Sequence, residues 1–328
     1  MSTLTPVKIS YFGKIPSRGD FVKASDQSSL LQVFDEWLTD TMSLIAEDPR
    51  WKINYDTAQA LSFSFLGIKK KHAIAGHIIP SSDSADRRFP FLTLSTMEVE
   101  PSESFVSNSP LILSRLWNKL ATQSESIVRA TEAVPLLQHL NGAPVDIELD
   151  YKNYQATFND YLEIQNVGTL AKMLNHAGFE GDLRQTIIAL GLLLQPIYAS
   201  AHSDLTKCII LPTPADPMYR NLVATFWLSL MTPFLAKLDI ELALFLTQIK
   251  GKQVMVLGFN GASAQMLHLV FTPQADDINH MISLDNAEWV ESHIEEDFAL
   301  KKLSSHLMQS ELSLNTALTL FNATFIGT

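Results

Sequence analysis

The stretch Leu61-Ser62-Phe63-Ser64-Phe65-Leu66-Gly67-Ile68, followed by Lys69-Lys70-Lys71 and an apolar run over 73–80, decides the fold class. Phe63 and Phe65 share one side of a period-two pattern and Ser62 and Ser64 the other, which predicts a half-buried strand. The lysines form a turn, and the chain returns as a second strand. Strands joined by so short a connection run antiparallel. A polar loop over 81–88 then leads to a third strand over 89–99.

On the N-terminal side, Leu31, Phe34, Leu38, Met42 and Ile45 recur at helical period with Trp37 beside them, which predicts a core-facing helix over 30–46. Ser29 and Gln32 have capping-box spacing at its start, and Asp48-Pro49 ends it. On the C-terminal side a helix is expected over 110–130, carrying Leu113, Leu116, Trp117 and Leu120. Pro135, Gly142 and Pro144 punctuate a connecting segment. Helices follow over 154–164, 167–177 and 183–199, the last apolar on most sides and therefore buried. A short strand over 206–211 and a helix over 220–235 come next. A second hairpin, 242–247 and 254–259, turns at Lys250-Gly251-Lys252, and 266–271 is expected to add a third strand to it. From Asn286, Val290, Ile294 and Phe298 fall at the spacing of one amphipathic helix.

The class is therefore α/β. Its expected divisions are an N-terminal α/β domain over 1–132, a connecting segment over 133–150, a C-terminal α/β half with a helical part over 151–285, and an amphipathic helical tail over 286–328. Both halves hold a hairpin, a third strand and flanking helices, so an internal duplication stays open.

With 328 residues the chain can bury a substantial core. A formal charge of −11 argues against binding a phosphate backbone and favours cationic partners, so no nucleic acid is expected. The lone Cys208 cannot form an internal disulfide. The longest apolar run, 187–194, is too short to span a bilayer, and no basic n-region precedes an apolar h-region at the start. A cytoplasmic protein without membrane insertion is expected.

The polar loop over 11–22, Tyr11-Phe12-Gly13-Lys14-Ile15-Pro16-Ser17-Arg18-Gly19-Asp20-Phe21-Val22, carries backbone breakers at Gly13, Pro16 and Gly19 between apolar anchors. It is not a phosphate loop, because Ile15 follows Lys14 and no glycine lies at the upstream spacing. Arg18-Gly19-Asp20 in a chain without an export signal is a chance tripeptide. Asp83 and Asp86 lack the alternating oxygen ligands and closing Glu of a calcium loop and read as a turn. Arg87 and Arg88 precede Phe89-Pro90-Phe91, and an internal ion pair with Asp20 or Asp83 is favoured over a ligand contact. His72 and His77 fall on opposite faces of a strand, and no His-Glu-x-x-His occurs, so no metal site is expected. Cys208 in Cys208-Ile209-Ile210-Leu211 reads as inert packing. Gly261-Ala262-Ser263-Ala264 lacks the last glycine of a nucleophile elbow and reads as a turn. No set for hydrolysis, phosphoryl transfer or redox chemistry is present. Trp37, Trp117 and Trp227 read as core.

Three places resemble the TagF family associated with bacterial type VI secretion. Phe12 to Val22 is similar to the family's N-terminal signature almost without change, followed by a helix with Phe34, Asp35, Trp37 and Leu38. Asp83-Ser84-Ala85-Asp86-Arg87-Arg88-Phe89-Pro90 resembles a segment of the form Asp-x-x-Gly-Arg-x-Phe-Pro, with Asp86 in place of the glycine. Leu211-Pro212-Thr213-Pro214-Ala215-Asp216 and Ala224-Thr225-Phe226-Trp227-Leu228 resemble the latter half of longer members. A tandem Trp expected near the last hairpin is replaced by Val256-Leu257-Gly258-Phe259.

The resemblance implies a three-layer α/β/α sandwich, and the two hairpins make its central sheet mixed and largely antiparallel. It also implies a cytoplasmic, non-catalytic accessory protein without cofactor that restrains secretion after translation. The implied partner is the forkhead-associated scaffold of the machine, with baseplate or membrane-complex components as others. Some members carry a fused Ser/Thr phosphatase domain, whose metal motif is not seen in this sequence. The alternatives are a structural subunit of the apparatus and, more remotely, a hydrolase using Asp20 as base. The candidate partner-binding or structural residues are Gly13, Lys14, Pro16, Ser17, Arg18, Gly19, Asp20, Asp83, Arg87 and Arg88.

Overall fold

A computed structural model describes residues 4–24, 28–200, 207–273 and 281–327. In chain order its strands are β1 Leu4–Val7, β2 Ser10–Gly13, β3 Val22–Lys23, β4 Leu61–Leu66, β5 His72–Ile79, β6 Phe91–Glu98, β7 Val145–Glu148, β8 Cys208–Pro212, β9 Leu242–Ile249, β10 Lys252–Gly258 and β11 Met281–Ser283. The helices are α1 Ser28–Ile45, α2 Trp51–Asp56, α3 Glu103–Arg129, α4 Val134–Gly142, α5 Lys152–Ile164, α6 Val167–His176, α7 Leu183–Ser200, α8 Pro217–Leu235, α9 Ala264–Phe271, α10 Val290–Glu296, α11 Phe298–Leu307 and α12 Leu314–Phe325.

Among the described residues nine strands form one sheet in the order β11-β8-β10-β9-β4-β5-β6-β2-β3. All neighbours are antiparallel except β11 and β8, which are parallel. The two hairpins meet edge to edge, with Phe63 of β4 opposite Phe245 of β9. A separate pair, β1 and β7, joins the start of the chain to the segment with Pro144.

Each face of the sheet is covered. On one, Phe63 and Phe65 pack with Phe34, Trp37 and Leu38 of α1 and with Met266 and Phe271 of α9. On the other, α3 and α8 lie against the sheet and against each other, with α7 behind them. The three layers, helix, sheet and helix, are those expected. The strand β4 is buried on both faces rather than half-buried, since Ser64 is as inaccessible as Phe63. Small residues, Ser64 of β4 and Ala73 and Ala75 of β5, let α3 approach the sheet closely. Trp117 of α3 donates its indole N–H to the Phe63 carbonyl at 2.9 Å.

From β6 through β5 and β4 to β9, β10 and β8 the order reads alike from either end, antiparallel at every step. The helix after β6 and the helix after β8 pack together on one face, and α1 packs with α9 on the other. Hairpin, third strand and helices thus occur twice, but the third strand follows the hairpin in the first half and precedes it in the second.

That arrangement corrects one expectation. Residues 266–271 are not a strand; they lie in α9, started by Ser263, whose hydroxyl accepts the Met266 N–H. The third strand beside the second hairpin is β8, reached before it in sequence. Thr206, expected to begin β8, lies outside the described residues.

The helix expected over 110–130 begins at Glu103, where the Ser102 hydroxyl accepts from Phe105 N. Pro110 sits inside it and removes the N–H that would reach the Val106 carbonyl. The Ser109 hydroxyl donates to that carbonyl instead, at 2.8 Å.

The tail is three helices rather than one. The chain breaks at Asp297, whose carboxylate caps α11 by accepting from Ala299 and Leu300. Phe298, expected on the apolar face with Val290 and Ile294, is 81% exposed. Phe325 of α12 packs directly over Gly191, where a Cβ would stand 2.2 Å from its ring. Among the described residues no helix is long and apolar enough to cross a membrane.

The Phe63 ring lies 5.3 to 6.0 Å from the rings of Phe34, Trp37 and Phe65 at the seam between the hairpins. Phe63→Ala is expected to cost about 3–5 kcal/mol, from lost burial and the cavity left behind. Denaturant unfolding of the purified protein checks this, and a loss below about 1 kcal/mol would show that the seam carries little of the stability.

Candidate partner-binding surface

At the β3 edge of the sheet, β2 pairs with β6 and with β3, and Gly13 lies opposite both Phe91 and Val22. Gly13 has φ +133°, and a Cβ there would meet the Pro90 carbonyl at 2.1 Å. Only glycine fits this crossing. The chain then drops Ile15 into the core and turns, with Arg18 N–H donating to the Ile15 carbonyl at 3.1 Å. Phe21 returns over Phe12 and Phe89, with ring centroids 5.4 and 4.9 Å away.

The second loop, 81–88, lies against the first. Its centre is the Asp83 carboxylate, whose side chain is wholly inaccessible. It accepts from the amides of Ala85 and Arg87 at 3.0 Å each, from Arg87 Nε at 2.7 Å and from Lys14 Nζ at 3.0 Å. Burial pushes the Asp83 carboxyl up, but the amides of Arg87 and Ala85 and the two cations outweigh it, holding the group well below the usual carboxylate range. Lys14 also lies 5.0 Å from the centre of the Phe21 ring. Two further bonds join the loops, from Ser84 N to the Arg18 carbonyl at 2.8 Å and from Arg87 Nη2 to the Gly19 carbonyl at 2.6 Å.

Arg88 turns the other way and clamps Asp56 of α2 with two bonds of 2.7 and 2.6 Å. Beside it, the Tyr55 hydroxyl donates to the Ser81 carbonyl at 3.1 Å and accepts from Ser81 N at 3.0 Å. Between these groups a groove of about 480 Å³ runs past Pro16, Asp56, Pro80, Asp86, Arg88 and Val128.

The two motifs noted in the sequence are thus one surface. Gly13, Lys14 and Asp83 are inside it, Ser17 is half-buried, and Pro16, Arg18, Gly19, Asp20 and Arg87 are exposed. Arg87 pairs with Asp83; Asp20 instead accepts from its neighbour Phe21 N at 2.8 Å. The Asp56 partner of Arg88 is a residue the motifs did not indicate. It lies 32 positions away in a short helix, with no local signal linking them.

The other groups weighed in the sequence lie elsewhere. His77 is buried with Nδ1 3.2 Å from the Ser62 hydroxyl, and burial pushes its pKa down to about 4. Cys208 is buried in β8, and Ser263 is the α9 cap. Among the described residues no cluster of His, Cys, Asp or Glu could hold a metal ion.

Because the Asp83 pKa is depressed in the folded protein, its contribution to stability is full above the unfolded value of about 3.9 and is lost as pH falls toward the folded one. Asp83→Asn should therefore unfold more readily than wild type at neutral pH, with the gap narrowing below about pH 4. Paired unfolding curves across pH check this; a gap independent of pH would show that the charge is not what binds the loops.

Residues 10–142 match the model of the TagF N-terminal domain, described as type VI secretion system-associated. The matched segment contains both loops and their clamp to α2. Among solved structures, PA0076 from Pseudomonas aeruginosa PAO1 is similar at 20% identity, with a TM-score of 0.36. The match covers 42% of this chain and 64% of that one, less than two-thirds of its length. No curated protein matches the chain. Over residues 10–142, then, the chain is similar to the N-terminal domain of the type VI secretion system-associated TagF proteins.

Proposed function

We propose that the protein is a non-catalytic, cytoplasmic regulator that restrains type VI secretion by binding another component of the machine. The partner in this reading is the forkhead-associated scaffold, with a baseplate or membrane-complex subunit as the other choice. The TagF N-terminal domain supports the link to secretion. The observation that carries the binding reading is the division of labour within the signature. Lys14 and Asp83 are spent on holding two loops together, while Arg18 and Asp20 stay exposed on the surface so formed. A rigid loop pair with exposed charges suits recognition, because little order must be gained on binding.

Capture of the purified scaffold by the wild-type protein is expected, weakened about five-fold or more by Arg18→Ala or Asp20→Ala, roughly 1 kcal/mol each, with thermal stability unchanged. Failure to capture the scaffold or any baseplate or membrane-complex subunit would overturn the reading. Deletion of the gene is expected to raise secretion; its abolition would instead favour a structural subunit.

A further inference from the structure

Asp86 occupies the left-handed region at φ +57°, a conformation that glycine adopts freely and a side chain does not. Its backbone is held there by the Asp86 N–H, which donates to the Asp83 carbonyl at 3.0 Å. Its side chain is exposed on the rim of the groove beside Pro16, and among the described residues no donor reaches its carboxylate. It acts on Arg88, whose guanidinium pKa is raised first by the bond to Asp56 and further by the field of Asp86. Arg88 is already committed to Asp56 through two hydrogen bonds. The groove therefore carries two carboxylates against one guanidinium, on a protein whose formal charge is −11. Its walls at Pro16, Pro80 and Val128 are apolar, and a volume of about 480 Å³ suits a side chain and its neighbours.

We infer that this groove takes a cationic side chain, arginine or lysine, from an extended segment of the docking protein, with Asp86 as its counter-ion. Apolar residues flanking that cation rest on Pro16 and Val128. The inference rests on the reading that this face is where a partner docks, and it adds the chemistry of what docks. An anionic segment would meet Asp56 and Asp86 and be repelled. The attraction is that of a partly exposed pair, so it weakens with salt.

The test uses the full-length protein, with the peptide acetyl-Val-Arg-Val-amide as probe and acetyl-Val-Glu-Val-amide as its control. Backbone amide resonances of the 15N-labelled, deuterated protein are followed during titration. The arginine peptide is expected to shift amides at residues 16–18 and 81–88, and the glutamate peptide to leave them in place. Asp86→Asn, which tolerates the left-handed backbone while losing the charge, should weaken the response about five-fold or more. Asp86→Gly, which also removes the strain, should do the same. No shift with the arginine peptide, an equal response from either variant, or a stronger response to the glutamate peptide would overturn the inference. Since the probe is a peptide, its result stands apart from capture of the forkhead-associated scaffold, whose failure would strike only the proposed function.

Discussion

A single buried charge governs the surface that matters here. A carboxylate withdrawn from water is tolerated only when cations and hydrogen-bond donors replace its hydration. Asp83 meets that demand with two amides of its own loop, with Arg87 four residues on, and with Lys14 from a loop far away in sequence. Of the carboxylate's own contacts, only the one to Lys14 reaches the opening loop. Once it is made, the Arg18 and Gly19 carbonyls fall within reach of Ser84 and Arg87, and the exposed residues between them are fixed in place.

The sheet supplies the foundation. Gly13 lets β2 lie against the backbone that leads into β6, so both loops spring from adjacent strands. The Arg88–Asp56 clamp and the Tyr55–Ser81 pair then fasten the second loop to α2 on the far side of the groove. The β4–β9 seam joins both hairpins into one sheet, and the aromatic cluster around Phe63 seals that seam. The two-loop surface is therefore built at one edge of a platform to which both halves of the chain contribute.

Local patterns carried much of this. The alternation of Phe63 and Phe65 marked β4, the period of Leu31, Phe34 and Leu38 marked α1, and the two arginines before Phe89 pointed to an internal ion pair with Asp20 or Asp83, of which Arg87 with Asp83 forms. Non-local choices were hidden. Five apolar residues and His268 over 266–271 suit a strand or a buried helix equally, and only the Ser263 cap separates them. Pro110 looked like a helix start because the serine that takes over its missing hydrogen bond is invisible to a periodicity argument. The pairing of β9 with β4, and of Arg88 with Asp56, depends on which edges and loops meet in space. The candidate site was thus legible as two motifs, while their union, with some members buried and others exposed, was not.

The central claim is that Asp83 couples the two loops into one unit. Amide hydrogen exchange tests it most directly, comparing wild type with Asp83→Ala. The account predicts that the amides of Ser84, Ala85 and Arg87 are protected in wild type although their side chains are exposed. In the variant, protection should fall there and at Arg18 in the opening loop together. Loss confined to residues 81–88, with the opening loop unchanged, would contradict it.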